Sequence, residues 1–299
     1  MMNGIINVYK EAGFTSFDVV AKLRGVLKQK KIGHTGTLDP DATGVLPICL
    51  GTATKVCDLL TDRSKEYIAT MLLGVETDTY DCSGTVVNKK PVEVNEERIS
   101  EILHGFVGES MQIPPMYSAL KVNGKKLYEY AREGIKIERK PRKIQIYDLE
   151  ILHIHLPEVE FRVHCSKGTY IRSICYDAGR IAQCGACMKK LIRTRVDNFM
   201  LEDAYTLNEI EELVKSGDVN TIVKPVDSVF SQYPKAVVMD EYSKVLYNGN
   251  RLKKQWVCQE MTPPQKVRIY DESGAFIGIY RYEESRKEFK PEKIFWRKE

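Results

Sequence analysis

Between Gly33 and Gly51 the chain reads G-H-T-G-T-L-D-P-D-A-T-G-V-L-P-I-C-L-G, and four glycines with two prolines in so short a stretch exclude a continuous helix. Regular structure is expected to stop here and give way to an ordered functional loop. The flanks carry ordinary periodicities. Residues 4–9 read as a short strand, and after the Gly13 turn Ser16 caps a helix whose Val19, Val20, Leu23 and Leu27 share a face. Residues 52–62 resume as helix, and 65–73 alternate Tyr67, Ala69, Met71 and Leu73 as a half-buried strand. Asn95 caps a helix over 96–106, the runs 144–154 and 158–165 read as strands, and Ile171, Ile174, Cys175 and Ala178 mark a helix after Tyr170. Thr206 and Glu209 form a capping box for a helix to about 216. Beyond 235, Asn248-Gly249 and Ser273-Gly274 turns between short strands predict a small β-barrel or sandwich, with the domain boundary at 225–235 around Pro225 and Pro234.

Composition narrows the class. With 43% hydrophobic and 29% charged residues the chain has the make-up of a soluble globular protein, and it lacks any apolar run near the roughly 18–20 residues of a membrane span. Its first residues show no basic-then-apolar signal pattern, so a cytoplasmic protein without a membrane partner is expected. Eight irregularly spaced cysteines read as reduced thiols. Cys184-Gly-Ala-Cys187 is the one C-x-x-C, and His34, His104, His153, His155 and His164 do not complete a zinc pattern, so no metal site is expected.

The formal net charge of +4 hints at a polyanionic partner. Its distribution says more, because residues 121–143 hold nine basic and three acidic side chains with Tyr128 and Tyr130 interleaved. Cations grip phosphates and aromatic rings stack on bases. A smaller basic excess lies beyond residue 235.

Within the glycine loop, Asp39 precedes Pro40, which biases it toward extended backbone and lets its carboxylate point into a cleft. The whole block 33–55, ending Gly51-Thr-Ala-Thr-Lys55, resembles the signature of the TruB family of tRNA pseudouridine synthases. Lys65-Glu-Tyr67, Gln112-Ile-Pro-Pro-Met-Tyr-Ser-Ala-Leu-Lys121, Gly168-Thr-Tyr-Ile-Arg172 and Leu191-Ile-Arg-Thr-Arg-Val196 resemble further family blocks in order. Two departures stand out: Lys10-Glu11-Ala12-Gly13 replaces the usual K-P-x-G, and Asp197-Asn198-Phe199 lacks the glycine often found before the aromatic residue.

The resemblance implies an α+β pseudouridine synthase fold with a mixed, largely antiparallel central sheet flanked by helices, spanning 1–230 with an RNA-gripping insertion at about 112–143. A small β-rich PUA-like RNA-binding domain follows at 235–299. It implies isomerisation of uridine to pseudouridine at position 55 of the tRNA T arm, by base flipping, without cofactor or metal, in a stand-alone monomeric enzyme. Asp39 becomes the catalytic aspartate. Arg172 is expected to hold Asp39 by a charge-assisted pair that lowers its pKa. Tyr67 would stack on the target base near C5, and His34 would fill or contact the gap left by the extruded nucleotide. Lys10, Lys55 and Tyr170 fall to the pocket or RNA-facing shell and Leu191 to its apolar wall. An RNA-binding or RNA-folding module with an idle pocket is the alternative reading.

Overall fold

The structure, a computed structural model, describes residues 1–258 and 265–296. A nine-stranded mixed sheet forms its centre. Its main path runs Gly4–Lys10, Thr43–Leu50, Ala186–Val196, Lys65–Leu73, Glu158–Cys165, Arg142–His155 and Gly108–Gln112, with Ile32–His34 and Phe199–Met200 paired at the side. Thr43–Leu50 lies parallel to Ala186–Val196, and the other neighbours are antiparallel. This is the mixed, largely antiparallel sheet that the resemblance implied.

The strand Lys65–Leu73 alternates buried and half-buried residues along its whole length, as its sequence predicts. Its inward residues pack with Ile99, Ile102 and Leu103 of helix Glu96–His104 and with Ile174 and Ala178 of helix Ile171–Ile181. Thr43–Leu50 is covered on both faces. Leu46, Ile48 and Leu50 meet helices Ser16–Val26 and Leu207–Ser216, while Val45 and Cys49 meet Phe230, Ile279 and Phe295. Burial on two sides explains its unbroken apolar run.

That strand corrects the expected extent of the glycine loop. Ile32–His34 and Thr43–Leu50 are both strands, so only residues 35–42 lack regular structure. Pro47 is tolerated because it falls between the stretch paired with Ile32–His34, residues 48–50, and the stretch paired with Ala186–Val196, residues 43–44. The Thr35 hydroxyl donates to its carbonyl at 3.2 Å.

Helix Ser16–Val26 is capped by Thr15, not Ser16, through a capping box with Asp18. This frees the Ser16 hydroxyl to accept the Leu38 amide at 2.9 Å. Residues 52–62 divide into a 3₁₀ turn, Gly51–Val56, and a short helix, Cys57–Thr61. Thr206 and Asn95 cap their helices as expected.

A second sheet of five strands follows: Lys235–Val237, Lys266–Tyr270, Phe276–Glu283, Glu288–Ile294 and Leu252–Lys253 in spatial order. The sheet curls until its two edges meet: Val238, next to Lys235–Val237, forms an antiparallel bridge with Val257, just after Leu252–Lys253, which gives the small barrel-like unit that was expected. Ser273-Gly274 turns one hairpin, but Asn248-Gly249 ends the helix Ser243–Tyr247, because its left-handed Gly249 stops the helical ladder. Among the described residues no helix is long and apolar enough to cross a membrane, and all eight cysteines are free.

Gly44 is where the sheet is tightest. It lies opposite Arg193 at φ +105, and a Cβ there would stand 2.2 Å from the Arg193 carbonyl oxygen. Only a residue without a side chain lets the two strands meet. Gly44→Ala is therefore expected to cost on the order of 3 kcal/mol or more of stability. Urea unfolding checks this, and an unchanged midpoint would mean the strands can separate without penalty.

Candidate active site

The eight-residue loop between the strands Ile32–His34 and Thr43–Leu50 is held almost entirely by groups outside it. The Gly36 carbonyl accepts from Arg193 at 3.2 Å, and the Leu38 amide donates to Ser16. The Pro40 carbonyl accepts from the Lys10 ammonium at 2.8 Å and from the Gly13 amide at 3.1 Å. Lys10 also reaches the carbonyls of Glu11 and Phe14, at 3.0 and 2.6 Å. All three ammonium protons thus find backbone acceptors in two loops. Where the family's proline is missing, this buried lysine gathers the chain. Leu38 packs into the same apolar cluster as Tyr67 and Leu191. Asp39, between Leu38 and Pro40, has little freedom left.

Its carboxylate meets Arg172 as a fork. Nε lies 3.0 Å from Oδ2 and Nη2 donates to Oδ1 at 3.0 Å. Arg172 occupies the first turn of helix Ile171–Ile181. Its Nη2 also donates to the Tyr117 carbonyl at 3.0 Å, its Nη1 to the Thr79 carbonyl at 3.2 Å, and Nη1 stands 3.5 Å from Asp81 Oδ2. The arginine side chain is 6% exposed and the aspartate side chain 37%, so the cation is fixed while the anion keeps an open side.

The electrostatic outcome differs from the expectation on one point. Burial pushes the Asp39 carboxyl above its ordinary value; Arg172 offsets part of that, and Asp81 adds to it. The net direction is up, so the ion pair limits the shift without reversing it.

Tyr67 is buried opposite Arg193 in the sheet, within hydrogen-bond reach of its guanidinium. Burial raises its phenol to about 12, and the Arg193 charge works the other way. A neutral phenol beside the aspartate suits contact with a base better than proton abstraction as phenolate. Arg193 itself is fully buried, with its Nε on the Val45 carbonyl at 2.7 Å, and among the described residues it makes no ion pair with a carboxylate.

The structure brings Asp39, Arg172, Tyr67 and Leu191 together, with the Tyr170 phenol within electrostatic reach of Arg172 and Asp39. Lys10 supports the loop from behind and does not face a substrate. His34 is half-buried at the loop's entry, where its Nδ1 accepts the Gly36 amide at 3.3 Å and burial, with the Arg193 charge, lowers its pKa. The Lys55 ammonium reaches the Ile294 carbonyl of the second sheet instead of joining the Asp39 group. Asp81, Thr79, Tyr117 and Arg193 escaped the sequence reading. Tyr117 and Arg193 lie inside two of the family blocks without having been singled out there, and for Thr79 and Asp81 the one signal was the polar turn Thr77-Asp-Thr-Tyr-Asp-Cys-Ser-Gly84, which looks like any surface loop.

Solved structures define the class. An H/ACA ribonucleoprotein bound to a substrate RNA containing 2′-deoxyuridine matches with a TM-score of 0.72 at 25% identity, over 98% of this chain and 85% of that one. A Cbf5–Nop10–Gar1 complex matches with the same score at 27% identity, over 98% and 85%. The fold is that of the pseudouridine synthases.

Within that class the chain belongs to the TruB family. The model of the TruB family pseudouridylate synthase N-terminal domain matches residues 24–171, and that of the tRNA pseudouridylate synthase B C-terminal domain matches 172–231. The tRNA pseudouridine synthase B of Lachnoclostridium phytofermentans is 54% identical over 306 aligned residues, covering 98% of this chain and 100% of that protein. The enzyme of the same name from Clostridium kluyveri is 48% identical over 278, covering 93% and 95%.

Burial lowers Lys10 from 10.5 to about 8. Between those values the unfolded chain holds a proton the folded one has released, so this group's contribution to stability rises with pH across that window. The stability of the wild type relative to Lys10→Met is expected to increase by up to about 3 kcal/mol as pH climbs through it. Lys65, lowered to about 8 in the same way, titrates in both proteins and cancels. Urea titrations at a series of pH values check this, and a constant difference would refute it.

Proposed function

We propose that this chain isomerises uridine to pseudouridine at position 55 in the T arm of tRNA, as a cytoplasmic, monomeric enzyme that needs no cofactor or metal. The observation that carries the reading is the Asp39–Arg172 fork, lodged in the sequence blocks of the TruB family. The reaction breaks the bond from C1′ to N1 and makes one from C1′ to C5. Substrate and product are isomers, so no electron carrier or energy donor enters the balance.

An ionised Asp39 beside the ribose serves either of two first steps, attack on C1′ or removal of the C2′ proton. Arg172 keeps its direction fixed for both. After the base has turned, C5 gives up its proton beside the Tyr67 ring and Leu191, and N1, freed from C1′, takes one up, so the proton count is unchanged. A uridine in a folded loop is stacked, so it is extruded first, at a cost of roughly a few kcal/mol. His34, at the loop's entry, suits contact with the stack that remains.

The insertion supplies the grip. Its hairpin of Lys121–Val122 and Lys125–Lys126 leads to helix Leu127–Arg132, where Lys126 and Arg132 both lie 5.3 Å from the Tyr128 ring centre. Rings and cations are therefore presented together, as a stem-loop backbone with splayed bases requires. We assign residues 1–230 to catalysis and 235–299 to a PUA-like RNA-binding unit, in line with the separate second sheet and its basic excess.

Asp39→Asn preserves shape but removes the anion. It is expected to lower single-turnover conversion of a tRNA transcript by at least about 1,000-fold, while tRNA affinity stays within about threefold because phosphate contacts carry it. Conversion at the normal rate would sink the assignment, and tight binding by a wild type that converts nothing would favour an RNA-folding module. Lys136, Lys140 and Arg142 are exposed residues of the insertion. Changing all three to Gln should weaken tRNA binding and reduce the magnitude of the log–log salt slope by about two to three. An unchanged slope would show that these residues do not meet phosphate.

A further inference from the structure

The helix that carries Arg172 starts without a side-chain cap of its own. Tyr170 precedes its first residue, makes no side-chain cap bond, and leaves its amide to be satisfied from elsewhere. The partner comes from 58 residues upstream. Gln112 Oε1 accepts the Tyr170 amide at 2.8 Å, and Gln112 Nε2 donates to the Tyr170 carbonyl at 3.0 Å. One primary amide thus reads both polar groups of a single backbone residue, two positions before Arg172. A second bond joins the same two segments, since the Ser173 hydroxyl, three positions after Tyr170, donates to the Ile113 carbonyl at 3.1 Å. Arg172 then closes the joint by donating to the Tyr117 carbonyl.

Gln112 is placed where such a contact has leverage. It is buried at the end of strand Gly108–Gln112, and its backbone pairs with Arg142 at the start of strand Arg142–His155. These two residues bound the insertion, so the chain leaves the sheet at Gln112 and returns at Arg142. The amide therefore couples the root of the insertion to the first turn of the catalytic helix. Glutamine suits this task because it offers a donor and an acceptor side by side without charge. A carboxylate there would lack the donor and add a negative charge close to the Asp39–Arg172 pair.

We infer that Gln112 is a positioning residue for the isomerisation: its side-chain amide caps the catalytic helix from the root of the insertion and thereby fixes where Arg172 holds Asp39. The inference rests on the function proposed above and adds a residue to its machinery. Gln112 touches neither Asp39 nor the substrate. It acts through the placement of the Arg172 backbone, and small misplacements of a fixed catalytic group cost much in rate.

The test uses the full-length protein and an unmodified tRNA transcript. Gln112→Met keeps the length of the side chain and loses both hydrogen bonds. Expected are a single-turnover rate at saturating enzyme lower by about 10- to 100-fold, a tRNA Kd within about threefold of wild type, and amide exchange at residues 170–173 faster by about tenfold or more. A rate within about twofold of wild type overturns the inference. So does unchanged exchange, a rate loss matched by an equal loss of affinity, or one explained by a smaller folded fraction in a thermal melt. Should Gln112→Met not fold, Gln112→Asn decides, because it stays polar but is too short to reach both Tyr170 atoms. The same split is expected there at about fivefold or more in rate, and a wild-type rate overturns the inference. A wild-type protein that makes no pseudouridine fails the function reading instead. The joint is then judged by amide exchange alone, and no change in the Gln112 variants rejects it.

Discussion

The pairing of Asp39 with Arg172 is the constraint to which the rest of the molecule answers. A guanidinium taken out of water costs several kcal/mol unless it is paired and its remaining protons are used. Here three nitrogens meet two carboxylates and two backbone carbonyls, drawn from the glycine loop, the 77–84 turn and the insertion. The four acceptors come from three different parts of the chain. The arginine therefore acts as the point at which three loops agree on a position, and the sheet beneath supplies the distance between them.

The same logic governs two further buried cations. Lys10 and Arg193 are satisfied mainly by main-chain carbonyls, and both hold the segment that carries Asp39. The Lys10 charge also favours an anion at that spot, being among the groups that draw the Asp39 carboxyl downward. Burial works in the opposite sense and prevails. A carboxylate raised above its usual range is a stronger base, while the clamp keeps it aimed. The site accepts an electrostatic cost in exchange for a carboxylate that is both more basic and held still.

What could be read in advance follows from the reach of each signal. The alternation in Lys65–Leu73 and the capping residues Asn95 and Thr206 act within a few positions, so they were legible. Thr43–Leu50 was hidden because Gly44 and Pro47 normally break strands, and only the neighbours explain their presence: the Arg193 backbone for one, a gap in pairing for the other. Asp39, Arg172 and Tyr67 were found through the family resemblance; their proximity spans 133 residues and no local pattern encodes it. Asp81 and Arg193 stayed invisible for the opposite reason. An aspartate in a polar turn and an arginine in a strand ordinarily face water, and what makes them otherwise is packing by distant segments.

The second sheet bears on the site through packing. Ile279 and Phe295, with Phe230 from the connecting segment, cover the face of Thr43–Leu50 opposite helix Ser16–Val26, in one cluster with Ile5 and Val45. Val45 follows Gly44 and its carbonyl receives Arg193. Loosening the second sheet would expose the strand that ends the Asp39 loop and weaken the wall against which the buried arginine rests. The C-terminal unit thus helps support the strand that follows the Asp39 loop. The loop can be short and rich in glycine because both faces of the strand after it are already filled.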